Sequence, residues 1–421
     1  MDRELKIGFV STRFSGIDGV SLETVKWVQV LDRLGHRCFF FAGESNWPKE
    51  QSYIVAEAHF DHPKIRQINV DLFDDYVRSA ETSRDIEKIQ DYLDDQLHRF
   101  VEGNELDLLV IENALALPMN VPLGMAITKL IAETGIPTFA HHHDFTWERQ
   151  RYSVSAGDDY LRAAFPPTLH NVRHIVINSY AQTQLALRTG ASSVLIPNVM
   201  DFDHMPEPAD GYADDLCQEL GFAEAEALLV QPTRIVPRKR IEQAIELAAR
   251  LSIPARLVIT HKGGDEGQAY ETYLRDYAQM LRVPVIFASN RFSRQRGTNE
   301  AGQKVYSLQD AYQHAQLITY PSRIEGFGNA FLETIYYQRP ILMNRYEIFK
   351  TDIQPKGFEI IPFDDYISSD SVQAVERALT DEEYVDEMTA RNYELGQRYY
   401  SYRFLETQLE SLLHETVGSA R

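Results

Sequence analysis

The chain has 421 residues, 44% hydrophobic and 25% charged, with 22 glycines and 18 prolines spread along its length. That is the profile of a globular protein of two or three domains, which excludes extensive disorder and a small stapled scaffold. Acidic side chains outnumber basic ones by 62 to 42, for a formal charge of −20, so bulk electrostatics oppose nucleic acid and anionic membrane surfaces, and an anionic ligand must be held by local positive groups.

Met1 to Phe14 has a charged opening and a very short apolar run, without the apolar core of a signal peptide. Cys38 and Cys217 lie far apart in sequence, which speaks for a reducing compartment and against a disulfide framework. A cytoplasmic protein without membrane insertion is expected.

Leu5 to Thr12 reads as a strand, Ser15 to Ser21 as a small-residue loop and Leu22 to Leu34 as a helix. The unit recurs. His36 to Ala42, Leu106 to Glu112 and Pro137 to His143 read as strands, Met125 to Thr134 and Ser179 to Arg188 as helices, and Val194 to Pro197 as one more short strand. Around Pro197 to Asp214 periodicity fails, in a run (PNVMDFDHMPEPADGYADD) with three prolines and six acidic residues. Beyond it the alternation resumes: strands at Ala227 to Gln231, Ala255 to Thr260, Val283 to Ala288, Leu317 to Tyr320 and Pro340 to Met343, and helices at Ile241 to Leu251, Leu308 to Ala315 and Asn329 to Tyr337. The expectation is α/β, with two doubly wound Rossmann-like domains at 1–200 and 201–400 and a terminal helical segment at 401–421 that packs back on the first.

Ligands of such sheets bind beyond the carboxyl ends of strands. Arg323 to Glu333 (RIEGFGNAFLE) follows a strand and runs into a helix, with Glu325 in the loop, Gly326 and Gly328 allowing close backbone approach, and Glu333 one turn inside the helix. Glycines before a helix N-terminus present unpaired N–H groups to a phosphate or sugar hydroxyl, although the same glutamate and glycines also suit a plain turn. Thr233 to Arg240 (TRIVPRKR) follows the first strand of the second half, where Arg234 and Lys239 flank a proline and read as a diphosphate clamp.

Glu325 and Glu333 resemble the E-x7-E signature of GT4 retaining glycosyltransferases with the GT-B fold, Arg234 and Lys239 resemble that family's R-x4-K pair, and Pro197-Asn198 with Asp201 resembles its inter-domain element, with Val199 where glycine is usual. The resemblance implies two Rossmann-like domains facing a central cleft. It implies that Arg234 and Lys239 hold the donor diphosphate, that Glu333 takes the ribose hydroxyls, and that Glu325 faces the donor sugar with the main-chain N–H groups of Gly326 and Phe327. Gly19 matches the family's glycine loop near the diphosphate, and His143 the histidine between donor and acceptor. The implied reaction is retaining hexosyl transfer from a nucleotide sugar, a UDP-hexose or GDP-mannose, to a small soluble or saccharide acceptor, without metal or other cofactor and by front-face substitution. Sugar-nucleotide epimerisation or hydrolysis, and a non-catalytic nucleotide-sugar-binding module, are the alternatives on this fold.

In His141-His142-His143-Asp144, strand alternation lets His141 and His143 share a face, and a metal would need a third ligand from elsewhere. No metal is expected there. Glu112, Asn113, Asp144 and Arg149 are the candidates for acceptor recognition. Asp201-Phe202-Asp203 lies in the linker and reads as linker, and Ser307 reads as a helix cap.

Overall fold

The computed structural model describes residues 3–16, 18–263 and 268–417. Ile17 of the glycine loop, the first two residues of the opening segment and residues 418–421 of the terminal segment lie outside them. The chain divides into two compact units, Met1–Val199 with Tyr402–Arg421, and Met200–Ser401.

The first unit runs β1 (Lys6–Val10), α1 (Gly19–Arg33), β2 (Arg37–Ala42), β3 (Ser52–Ile54), α2 (Pro63–Phe73), α3 (Ala80–Asn104), β4 (Leu108–Glu112), α4 (Val121–Thr134), β5 (Thr138–His142), α5 (Asp158–Ala164), β6 (Val172–Val176), α6 (Ser179–Thr189) and β7 (Ser193–Leu195). Among the described residues its sheet has seven strands in the order β3-β2-β1-β4-β5-β6-β7, every pair parallel. A parallel sheet must be covered on both faces, and period-2 alternation fills two cores at once. Val10, Phe41, Leu109 and Ile111 enter one cluster, whereas Phe9, Phe40, Leu108 and Val110 enter the other.

The second unit contains α7 (Leu216–Glu219), β8 (Ala227–Gln231), α8 (Ile241–Arg250), β9 (Ala255–Ile259), α9 (Gln268–Leu281), β10 (Val285–Phe287), β11 (Gly297–Thr298), β12 (Lys304–Val305), α10 (Leu308–His314), β13 (Leu317–Tyr320), α11 (Asn329–Tyr336), β14 (Ile341–Asn344), β15 (Ile361–Phe363), α12 (Ser369–Thr380) and α13 (Glu382–Tyr400). Its main sheet is again parallel, ordered β10-β9-β8-β13-β14-β15. The last helix, α14 (Tyr402–Val417), belongs to the first unit, where Leu405, Leu409 and Leu412 join the cluster that holds Trp27 and Leu31 of α1.

In each sheet the strand order reverses once, between β1 and β4 and between β8 and β13. Loops leaving those strands diverge to opposite sides and open a crevice at the strand ends. Among others, β3, α2, α3, α5, β6, α9, β15, α12 and α13 lie outside the elements expected from the sequence pattern. No helix among the described residues is long and apolar enough to cross a membrane.

Candidate functional site

In the second unit the loops after β8 and β13 are clasped together, with the Arg323 N–H donating to the Arg238 carbonyl at 3.0 Å. A 3-10 turn at Pro237–Lys239 ends on Arg240 in the left-handed region (φ 49°), which delivers Lys239 inward while Arg234 stays exposed. The Lys239 ammonium donates to Glu325 Oε1 and lies 5.3 Å from the centroid of the Tyr320 ring. Arg238 reaches the other carboxylate oxygen at 3.2 Å. Burial pulls the Lys239 ammonium below its usual pKa, although Glu325 works against that shift. Burial acts on Glu325 in the opposite direction, but Lys239 and Arg238 prevail and hold the carboxyl below its usual range.

Gly328 is the N-cap of α11 at φ 120°, where a Cβ would fall 2.4 Å from Tyr346 Oη. Only glycine fits that corner. Gly326 and Phe327 precede it, with the Phe327 side chain buried against Tyr400 and its carbonyl accepting from Tyr346. Glu333, one turn into α11, accepts a 2.7 Å hydrogen bond from the hydroxyl of Tyr312 on α10. Ser307 and Asp310 form the capping box that starts α10.

Two groups that sequence reasoning missed stand beside these residues. His261, just after β9, bonds Thr260 Oγ1 at 2.8 Å; burial first, and then the charges of Arg234 and Lys239, push it down to about 4. Tyr312 is the other. Neither carried a spacing signal, because each is a lone side chain brought in by the topology.

In the first unit Gly19 opens α1, exposed, next to Asp18, which caps the helix through the Ser21 N–H at 3.1 Å and pairs with Arg13 at 2.9 Å. At the end of β5 the three histidines part as strand alternation requires. His142 turns to His174 (Nε2 to Nδ1, 2.9 Å), and burial holds His142 well below its ordinary pKa. His141 and His143 both face Glu112, at 3.0 Å from Nδ1 and 3.3 Å from Nε2. Trp27 stacks on His141 with ring centroids 4.3 Å apart. Glu112, expected to contact an acceptor, is completely buried at the end of β4 with its carboxylate taken by the two imidazoles, so its place is behind His143. Burial would raise its carboxyl, but the histidines hold it down to about 2. For His143 burial lowers the pKa, and the Glu112 hydrogen bond and charge more than reverse this.

Asn113, in the left-handed region at φ 60°, accepts from the His143 N–H at 3.1 Å and donates to Asp144 at 3.0 Å. Asp144 in turn receives both Nε and a terminal nitrogen of Arg149. His143, Asn113, Asp144 and Arg149 thus form one connected polar chain. Among the described residues, Glu112, His141 and His143 offer donor atoms within 4.8 Å of one another, as do Asp94, His98 and Glu133, so each set has the spacing of a cation site.

No family model matches the chain. It is 31% identical over 389 residues to the mannosylglucosylglycerate synthase of Petrotoga mobilis, across 85% of this chain and 86% of that protein. This chain belongs to that glycosyltransferase family. A second member, the mannosylglucosylglycerate synthase of Thermotoga maritima, is 29% identical and aligns with 96% of this chain and 98% of its own length. Among solved structures, a glycosyltransferase from Rickettsia africae superposes with a TM-score of 0.71 at 10% identity, covering 99% of this chain and 100% of that one. Anabaena HepE, in complex with UDP and glucose, gives 0.66 at 12% identity, covering 98% and 100%. The sucrose-phosphate synthase of Thermosynechococcus elongatus gives 0.67 at 13%, covering 99% and 100%. The fold is GT-B, and the chain is a GT4-like hexosyltransferase.

Proposed function

We propose that this protein transfers a mannosyl group, with retention, from a nucleotide sugar to an acceptor that carries a glycerate carboxylate, of the glucosylglycerate type. The observation that carries the reading is the meeting of Lys239 and Glu325 from separate loops at the strand-order reversal of the second sheet, in a chain related to mannosylglucosylglycerate synthases over most of its length.

Departure of a nucleoside diphosphate leaves negative charge on the β-phosphate. Lys239, Arg234 and the glycine-started end of α11 supply fixed positive potential for it without a metal ion. Glu333 takes the ribose hydroxyls with Tyr312 fixing its carboxylate, and Glu325 with the main-chain N–H groups of Gly326 and Phe327 faces the sugar. Gly19 is assigned to the donor's diphosphate and His143, whose Nε2 lies 3.3 Å from the buried Glu112 carboxylate, to the reacting groups. As the sugar gains oxocarbenium character, front-face attack lets the departing phosphate accept the acceptor's proton, so no further base is needed. Cys38 and Cys217 are both free thiols, in keeping with a cytoplasmic setting.

The test is a thermal-shift panel of UDP-, GDP- and ADP-sugars, followed by product analysis with glucosylglycerate. One nucleotide class should stabilise the protein by about 2.7 kcal/mol at 100 times its Kd. Absence of mannosyl transfer to glucosylglycerate with every donor would end the proposal.

A further inference from the structure

A cavity of about 650 Å³ opens in the first unit beside the loop that leaves β5, lined in part by Trp147, Arg149, Tyr152, Arg162, Phe165 and Arg188. We infer that it is the acceptor subsite, and that Arg162 and Arg188 receive the acceptor's carboxylate there. The inference rests on the proposed function for the identity of the acceptor, and it adds where and by which groups that acceptor is recognised.

Three observations carry it. The volume falls inside the range of small-molecule sites, and three aromatic side chains give apolar surface of the kind that a pyranose ring packs against. The cavity is also joined to His143, because its wall residue Arg149 is the last member of the chain through Asp144 and Asn113 to the His143 N–H.

The charges decide the ligand class. Arg149 is committed to Asp144, and the Glu148 carboxylate accepts the Phe145 N–H at 3.1 Å, with burial raising its carboxyl above the usual range. Arg188 bonds Gln184 through Nε at 3.1 Å and lies 5.2 Å over the Trp147 ring, which leaves the outer edge of its guanidinium for another partner. Among the described residues neither Arg162 nor Arg188 has a carboxylate within 4.0 Å, although Asp158 and Glu148 also line the cavity. In a chain of charge −20 two guanidinium groups without a carboxylate at ion-pair distance, beside aromatic faces, are a selective feature. A planar fork matches a carboxylate bidentately. A sugar phosphate shares that anionic chemistry and is one arm of the test.

Arg162→Gln, Arg188→Gln and the double variant, made in the full chain, should raise the KM for glucosylglycerate by about 10- to 100-fold while the donor KM stays within about twofold, as expected for loss of a charged hydrogen bond to one substrate only. With uncharged glucosylglycerol the penalty should be at least about fivefold smaller. Both arginines are exposed, so folding is checked simply by the unfolding midpoint. An unchanged KM in the double variant, or an equal loss with the neutral analogue, would overturn the inference. So would glucose 6-phosphate competing as strongly as glucosylglycerate. Calorimetry separates this inference from the proposed function. If the wild type binds glucosylglycerate and the double variant does not, yet no product forms, the subsite stands and the reaction falls; product formation with a wild-type KM in the double variant gives the reverse.

Discussion

Replacing Lys239 by methionine removes the ammonium and keeps most of the stem. Two separate losses should follow. The first is structural: the side chains of Lys239 and Glu325 are only 10% and 9% exposed, so the variant leaves a buried carboxylate with Arg238, 3.2 Å away, as its remaining cation. Breaking a buried pair outright costs about 3–5 kcal/mol, and the retained arginine should bring this to roughly 1–2 kcal/mol in urea unfolding. The second is catalytic. A lost electrostatic stabiliser of the leaving group lowers turnover by about 10²- to 10³-fold, or roughly 2.7–4 kcal/mol of barrier. Calorimetry with nucleotides tells the roles apart, because a lysine that grips the β-phosphate matters to a nucleoside diphosphate and not to the monophosphate. Turnover within about threefold of the wild type, or an equal loss of affinity for both nucleotides, would refute the assignment.

Other outcomes follow from the same geometry. In Glu112→Gln the buried pair behind His143 is lost: its Glu112 part is present above 4.5 and lost as pH falls toward about 2, and its His143 part is present below 6.5 and lost as pH rises through the raised value. The stability gap to the wild type should therefore be widest near about pH 5.5, at roughly 1.5–3 kcal/mol, and narrow as pH rises above 6.5 through the raised His143 value; a gap that does not change with pH would sink the pairing. Tyr312→Phe removes the hydroxyl that holds Glu333 and should weaken nucleoside binding by about tenfold with little effect on affinity for inorganic pyrophosphate, which calorimetry reads directly. Exhaustive chelation should leave turnover unchanged, and activity lost to EDTA and restored by one divalent ion would overturn the metal-free reading and reopen the histidine cluster.

The parallel sheets were legible because buried strands such as Leu108–Glu112 and Leu317–Tyr320 are short apolar runs of strand length. The long helix α3 escaped although Ile86, Ile89, Leu93, Leu97 and Phe100 form a buried stripe at helical spacing. Its other faces are dense with charge, so the mean apolar signal is weak while the periodic one is intact. At the site, motif spacing led to Lys239 and Glu325, which the structure joins in one ion pair. Spacing could not reveal that Glu112 lies behind His143 or that Tyr312 holds Glu333, since those partners are 31 and 21 positions apart on different elements. Such contacts are set by sheet order and helix packing, which a linear pattern does not encode.

The placement of α14 also shapes how the chain is made. A ribosome releases the seven strands of the first unit, then roughly 200 further residues, before Leu405 and Leu409 emerge to cover Trp27 and Leu31. At about 5–20 residues per second that interval is roughly 10–40 s, during which an apolar flank on α1 stays uncovered. Nascent-chain capture by hydrophobic-binding chaperones should therefore peak late in synthesis, and truncation before Tyr402 should harm the unit at the opposite end of the chain.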